Sequence, residues 1–258
     1  MSDDFISLKM LIVSEVALER ELIRHAAAQA SIPIEIMEEA TGDGATACTA
    51  VARDGFDVVF SDSRMPKIAR QQLLDATRAA KERPLAILIG ASALKTREVL
   101  TDGLTVDGVL AKPIDAQELN HLIDRCVRAR LPNRALIVDD SSTVRSVIRK
   151  VLQASRFRLE SEEAEEGTVA IERVKKQRHD IIFLDCHMHG LDSFATLGEI
   201  KRIHPDSMVV MITGTRDMRI EDRAHAEGAS DFLFKPFFAN DIDAVLSRLF
   251  GLMRPRWN

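Results

Sequence analysis

Five residues in the second half of this chain are of the types that handle a phosphoryl group. Asp139 and Asp140 follow one apolar run, Asp185 closes a second, Thr213 closes a third, and Lys235 follows a fourth and precedes Pro236. Three carboxylates gathered in one place repel each other and would hold protons. A hard divalent cation removes that conflict, and Mg2+ prefers a few carboxylates supplemented by waters and phosphate oxygens. A lysine opposite the acids adds a fixed positive charge, and a threonine hydroxyl adds a donor. Such a set suits phosphoryl transfer, in which the protein mainly positions groups and neutralises charge. Taken singly, each has a plainer reading. Asp139-Asp140-Ser141 could cap a helix, Lys-Pro is a common surface turn, and Thr213 could be an ordinary strand-end residue. The ordered combination is what points to chemistry.

For these residues to meet, several strand ends must share one rim. The sequence supplies the strands. Ala135–Val138, Ile181–Leu184 and Met208–Ile212 are short apolar runs of the kind covered on both faces of a sheet. Phe157–Glu162 reads as a weaker strand and Asp231–Phe234 as the last. Between them, Thr143–Leu152 has helical spacing, with Val144, Val147, Ile148, Val151 and Leu152 on one face. Gly167–Lys176 and Asp241–Phe250 also read as helices. Five strands alternating with helices predict a doubly wound parallel sheet with right-handed crossovers. In that architecture ligands bind at the carboxyl ends of the strands, where the five residues stand.

The first half repeats the pattern. Leu11-Ile12-Val13-Ser14-Glu15 parallels Leu136-Ile137-Val138-Asp139-Asp140, and the runs ending at Asp62 and Lys112-Pro113 parallel those ending at Asp185 and Lys235-Pro236. The same number of residues separates Asp62 from Asp185 as Lys112 from Lys235, so two copies of one fold are expected. Strands fall at Met10–Val13, Ile34–Met37, Val58–Ser61, Leu85–Ile89 and Gly108–Leu110. A helix over Ala116–Arg130 ends at Leu131-Pro132-Asn133, where proline is a stop signal. The expected domains are 1–131 and 132–258, joined by little linker.

Composition narrows the function classes. The chain has 258 residues, 46% hydrophobic and 29% charged, the balance of a globular protein, and a net charge of −5. Neither half has the positive excess that phosphate-backbone binding requires, so no nucleic-acid partner is expected. No apolar run is long enough to span a membrane, and the acidic start lacks the zones of a signal peptide. Three widely spaced cysteines fit reduced thiols, and a cytoplasmic location is expected.

Asp-Asp, Asp, Thr and Lys-Pro at successive strand ends resemble the response-regulator receiver family, whose fold is flavodoxin-like. The resemblance covers nearly the whole chain, twice. It implies a two-component phosphorelay in which Asp185 accepts phosphate from a kinase phosphohistidine. It implies Mg2+ held by Asp139, Asp140, Asp185 and the backbone carbonyl of His187, and phosphoryl oxygens bound by Thr213 and Lys235. Thr213 and Phe232 would form the switch pair, the aromatic turning inward as the threonine moves toward phosphate. The loop after Asp185 departs from the family, with His189 where proline is usual. In the first copy Asp62 and Lys112 remain, but the acid pair is Ser14-Glu15, Gly90 replaces the threonine and Val109 the aromatic. The first copy therefore reads as a degenerate pseudo-receiver. The implied partners are a histidine kinase or phosphotransfer protein, a downstream protein target and a second copy of the chain. With no output domain in the sequence, the signal would leave through protein contacts. Haloacid-dehalogenase-like phosphatases also use aspartyl phosphate, Mg2+, Thr and Lys. Their nucleophile follows the first strand in an Asp-x-Asp pattern, whereas Asp185 follows the third, so a multi-turnover enzyme is not expected.

Overall fold

A computed structural model describes residues 6–40, 44–91, 106–188 and 192–253. The chain divides into two compact units; the first runs to Arg130 and takes in Phe250–Met253, and the second runs from Leu131 to Leu249. In the first unit the described elements are β1 (Leu8–Val13), α1 (Ala17–Ala28), β2 (Ile34–Glu39), α2 (Ala45–Asp54), β3 (Val58–Asp62), α3 (Lys67–Ala79), β4 (Leu85–Ala91), β5 (Gly108–Lys112) and α4 (Ala116–Arg130). The second unit has β6 (Asn133–Val138), α5 (Ser142–Ala154), β7 (Leu159–Ala164), α6 (Gly167–Lys176), β8 (Ile181–Asp185), α7 (Ser193–Ile203), β9 (Met208–Thr213), α8 (Met218–Ala226), β10 (Asp231–Phe234) and α9 (Ala239–Leu249).

Each unit contains a five-stranded parallel sheet, ordered β2-β1-β3-β4-β5 in the first and β7-β6-β8-β9-β10 in the second. This is the expected doubly wound, flavodoxin-like architecture in tandem. The strand order reverses beside β1 and β3, and beside β6 and β8, which opens a crevice at their carboxyl ends. Central strands are apolar because helices cover both faces: Leu136–Val138, Ile181–Leu184 and Val209–Ile212 are wholly buried.

Edge strands behave differently. β7 begins at Leu159 rather than Phe157, and β2 runs on to Glu39. Both carry acids along an exposed edge, which discourages pairing with another chain and hides them from an apolar count. Arginines of the first helix hold those acids: Arg20 reaches Glu38 at 3.1 Å, and Arg145 reaches Glu163 at 3.0 Å. On α5 only Ile148 and Leu152 of the expected face are buried, and Val147 is exposed.

Arg130 and His179 are among the buried charged or titratable groups that lie away from the rim. Arg130, the last residue of α4, is 1% exposed. Its Nε and Nη2 donate to Asp57 Oδ1 at 3.1 and 3.0 Å, while the Lys9 amide donates to Asp57 Oδ2 at 2.9 Å. His179, just before β8, is wholly buried, and neither ring nitrogen has a hydrogen-bond partner. The nearby Glu162 oxygen lies 3.7 Å away. Burial pushes the imidazole below its ordinary value of 6.5, and Glu162 offsets this only in part. The unfolded chain therefore takes up the proton first, and stability of the second unit should fall as pH drops through about 6.5. In urea titrations at neutral and mildly acidic pH, His179→Leu should lose less stability across that interval than the wild type. Parallel pH profiles would show that His179 carries no such linkage.

Candidate functional site

In the second unit the rim gathers the sequence-predicted residues. Asp139 follows β6 and is wholly buried, Asp185 ends β8, Thr213 ends β9, and Lys235 follows β10. One carboxylate oxygen from each of Asp139, Asp140 and Asp185 lies within 4.8 Å of the other two. Lys235 Nζ donates to Asp139 Oδ2 and to Asp185 Oδ1, each at 3.0 Å. Asp139 is fixed from two further sides. Its Oδ1 accepts the Ser141 amide at 2.8 Å, and its backbone carbonyl accepts Arg145 Nη1 at 2.6 Å. The N-cap of α5 is Ser141, whose Oγ accepts the Val144 amide. The two aspartates are thus spared for the pocket.

Lys235 thus faces a cluster of three carboxylates, two of which it contacts directly. Burial raises the Asp185 carboxyl above its ordinary value; Lys235 pulls it back, and Asp139 adds to the rise. Burial alone would lower Lys235, but Asp139 and Asp185 outweigh it and raise the ammonium. An ion of charge +2 with oxygen preference matches this carboxylate donor set.

The remaining second-unit residues flank this cluster. Thr213 is buried, and its Oγ1 accepts the Thr215 amide at 3.1 Å. His187 is exposed, two positions after Asp185, and His189 lies outside the described residues. Phe232 is already enclosed, 1% exposed, and stacks on Phe234 with centroids 6.0 Å apart. The inward turn expected of the switch aromatic has no outward starting position here. A phenyl ring lacks the hydroxyl that would draw a tyrosine toward water.

The first unit's rim is built differently. Ser14 and Asp62 are buried there, and Lys112 Nζ lies 3.1 Å from Asp62 Oδ1. Glu15 is exposed. The acid that enters is Glu19, from the first turn of α1, which accepts Ser14 Oγ at 2.8 Å and lies 2.6 Å from Lys112 Nζ. Gly90 sits in β4, where an added Cβ would come within 3.3 Å of Ser63 Oγ, and Val109 sits in β5. Arg64 completes the set: its Nη2 lies 2.5 Å from Asp62 Oδ2 and 3.1 Å from Glu19 Oε1. Burial would raise Asp62, but Arg64 and Lys112 outweigh it and hold the carboxyl at about 2. Neither Glu19 nor Arg64 stood out in the sequence. The available signal was an uncharged Ser14 beside a retained Asp62, which asks for another acid and another cation nearby.

Comparison with known proteins agrees with this geometry. The sequence profile described as response regulator receiver domain matches residues 135–247. Protein CcdB of Bacillus subtilis (strain 168) is 33% identical over 118 residues, 46% of this chain and 98% of that protein. Chemotaxis protein CheY of the same organism is 32% identical over 118 residues, again 46% of this chain and 98% of that one. A solved structure described as a probable two-component system response regulator/GGDEF domain protein shares the fold at 21% identity, with a TM-score of 0.54 over 94% of this chain and 97% of that one. Among the described residues no helix is long and apolar enough to cross a membrane. With these relatives matched along nearly their entire length and the receiver-domain profile over the second unit, this chain belongs to the response regulator receiver family.

Proposed function

We propose that this two-component response regulator takes a phosphoryl group on Asp185 from the phosphohistidine of a histidine kinase or phosphotransfer protein. The carrying observation is the second unit's cluster of three carboxylates, crossed by Lys235. Asp139, Asp140, Asp185 and the His187 backbone carbonyl would hold Mg2+. When bound, that ion supplies charge neutralisation to the acids and to the incoming phosphoryl oxygens. An Asp185 oxygen forms the new O–P bond as the N–P bond breaks, and the imidazole nitrogen keeps the electron pair. Lys235 stands on Asp185 already and needs only a small shift to donate to a phosphoryl oxygen. Thr213 offers its hydroxyl from the neighbouring strand end.

The first unit serves as a pseudo-receiver kept for protein contacts. Its acids are already paired with Lys112 and Arg64, which supports that assignment. The downstream target binds the second unit beside Phe232. A groove of about 450 Å3 there is lined in part by Arg216, Phe234, Asp241, Val245 and Arg248.

Incubating the chain with acetyl phosphate and Mg2+, trapping the acyl phosphate with borohydride and mapping it by mass spectrometry tests the assignment. The label should appear at Asp185. Label confined to another residue, or none at all, would overturn it.

A further inference from the structure

Arg64 stands two residues after Asp62, the place His187 takes after Asp185. Its backbone amide donates to Asp62 Oδ1 at 2.9 Å, and its side chain folds back onto the same carboxylate through Nε at 3.0 Å and Nη2 at 2.5 Å. Nη2 also reaches Glu19 Oε1 at 3.1 Å. With Lys112 on both acids, the contacts form a closed ring of two carboxylates and two cations. In the second pocket Lys235 faces a cluster of three carboxylates. Planar guanidinium groups pair with carboxylates in a forked geometry, so Arg64 covers the Asp62 oxygen edge as well as cancelling its charge. Glu15 at the same rim adds to the field that holds Arg64.

We propose that Arg64 determines which of the two aspartates takes phosphate: it stands as a built-in cation over Asp62, excluding a divalent ion and a phosphoryl group there and leaving Asp185 as the acceptor. The inference rests on the reading of Asp185 as phosphoacceptor and of the first unit as inactive. It differs from the simpler idea that the loss of an aspartate at Ser14 disables the first pocket. Glu19 already supplies an acid to that pocket, so removing Arg64 leaves Glu19 and Asp62, among the described residues, facing Lys112, with Glu15 at the rim. That set again lacks positive charge.

The test uses the full chain. The Arg64 side chain is 59% exposed, so Arg64→Gln leaves no cavity behind and keeps most of the side chain's length. Mn2+ titration followed by electron paramagnetic resonance should count one bound ion per chain in wild type and in Arg64→Lys, and two in Arg64→Gln. In an Asp185→Asn background, Arg64→Gln should raise borohydride-trapped acetyl-phosphate label at Asp62 by about tenfold or more. One ion in Arg64→Gln and unchanged label at Asp62 would overturn the role of Arg64, while label at Asp185 in wild type would leave the functional reading intact. Label at Asp62 in a chain that keeps Arg64 would instead overturn the reading of the first unit as inactive. A thermal melt of each variant shows whether the fold is retained, and Arg64→Ala repeats the count without any side-chain amide.

Discussion

Replacing Lys235 with methionine is expected to slow phosphoryl uptake at Asp185 by about two to three orders of magnitude, the usual effect of removing one charge-stabilising donor from a reacting centre. The same change should tighten divalent-cation binding. Both follow from one position. Lys235 Nζ lies 3.0 Å from an oxygen of Asp139 and 3.0 Å from an oxygen of Asp185, so it competes with a metal for those acids. Taking the ammonium away leaves the acids with a larger deficit for the metal to fill, but nothing from that side to receive phosphoryl charge. Lys235→Arg should not restore the rate, because a planar fork cannot replace a compact point charge held between two carboxylates. Labelling rates with acetyl phosphate at saturating Mg2+, set beside Mn2+ titrations, separate the two effects. If uptake and metal affinity fall together, Lys235 serves to hold the acids in place. Unchanged uptake would remove it from the transfer step.

Arg130→Met should cost the first unit about 3–5 kcal/mol, the range for breaking one side of a buried ion pair. Arg130 is 1% exposed and closes α4 by turning back onto Asp57, which anchors the start of β3. Methionine fills much of the space yet removes both guanidinium hydrogen bonds from the Asp57 carboxylate, which keeps the Lys9 amide at 2.9 Å in a place water does not reach. Adding Asp57→Asn to the variant should recover part of the loss, since an amide is cheaper to bury than an unpaired charge. Two units need not unfold in one transition, so hydrogen exchange at β1 and β3 amides is a better measure than a single melting curve. A loss under about 1 kcal/mol would mean that the pair behaves like a surface ion pair.

How far the sequence could be read depended on where each residue's meaning resides. Central strands were legible because burial on both faces leaves unbroken apolar runs, such as Ile181–Leu184 and Met208–Ile212. The edge strands were blurred, since Glu38, Glu39, Glu162 and Glu163 belong to β2 and β7 without any apolar mark. At the second rim, residue types at strand ends were enough to choose Asp139, Asp140, Asp185, Thr213 and Lys235, because parallel strands bring their ends together whatever the intervening sequence. At the first rim the decisive partners are not at strand ends. Glu19 lies within a helix, where it looks like a common first-turn acid. Arg64 matters only because its side chain turns backward onto Asp62, a rotamer that no spacing reveals. His179 was invisible for a similar reason: nothing in Arg178-His179-Asp180 says that the imidazole is sealed from water.

The balanced ring around Asp62 has a consequence for how much the molecule can report. Two equivalent pockets would give a chain four states, unmarked, marked on either unit or marked on both, and a partner would have to tell them apart. If the ion pairs of Arg64 and Lys112 keep phosphate from Asp62, the number falls to two. On that reading, a partner that touches both units would meet one surface that varies with phosphorylation and one that stays constant, a fixed reference beside a variable signal.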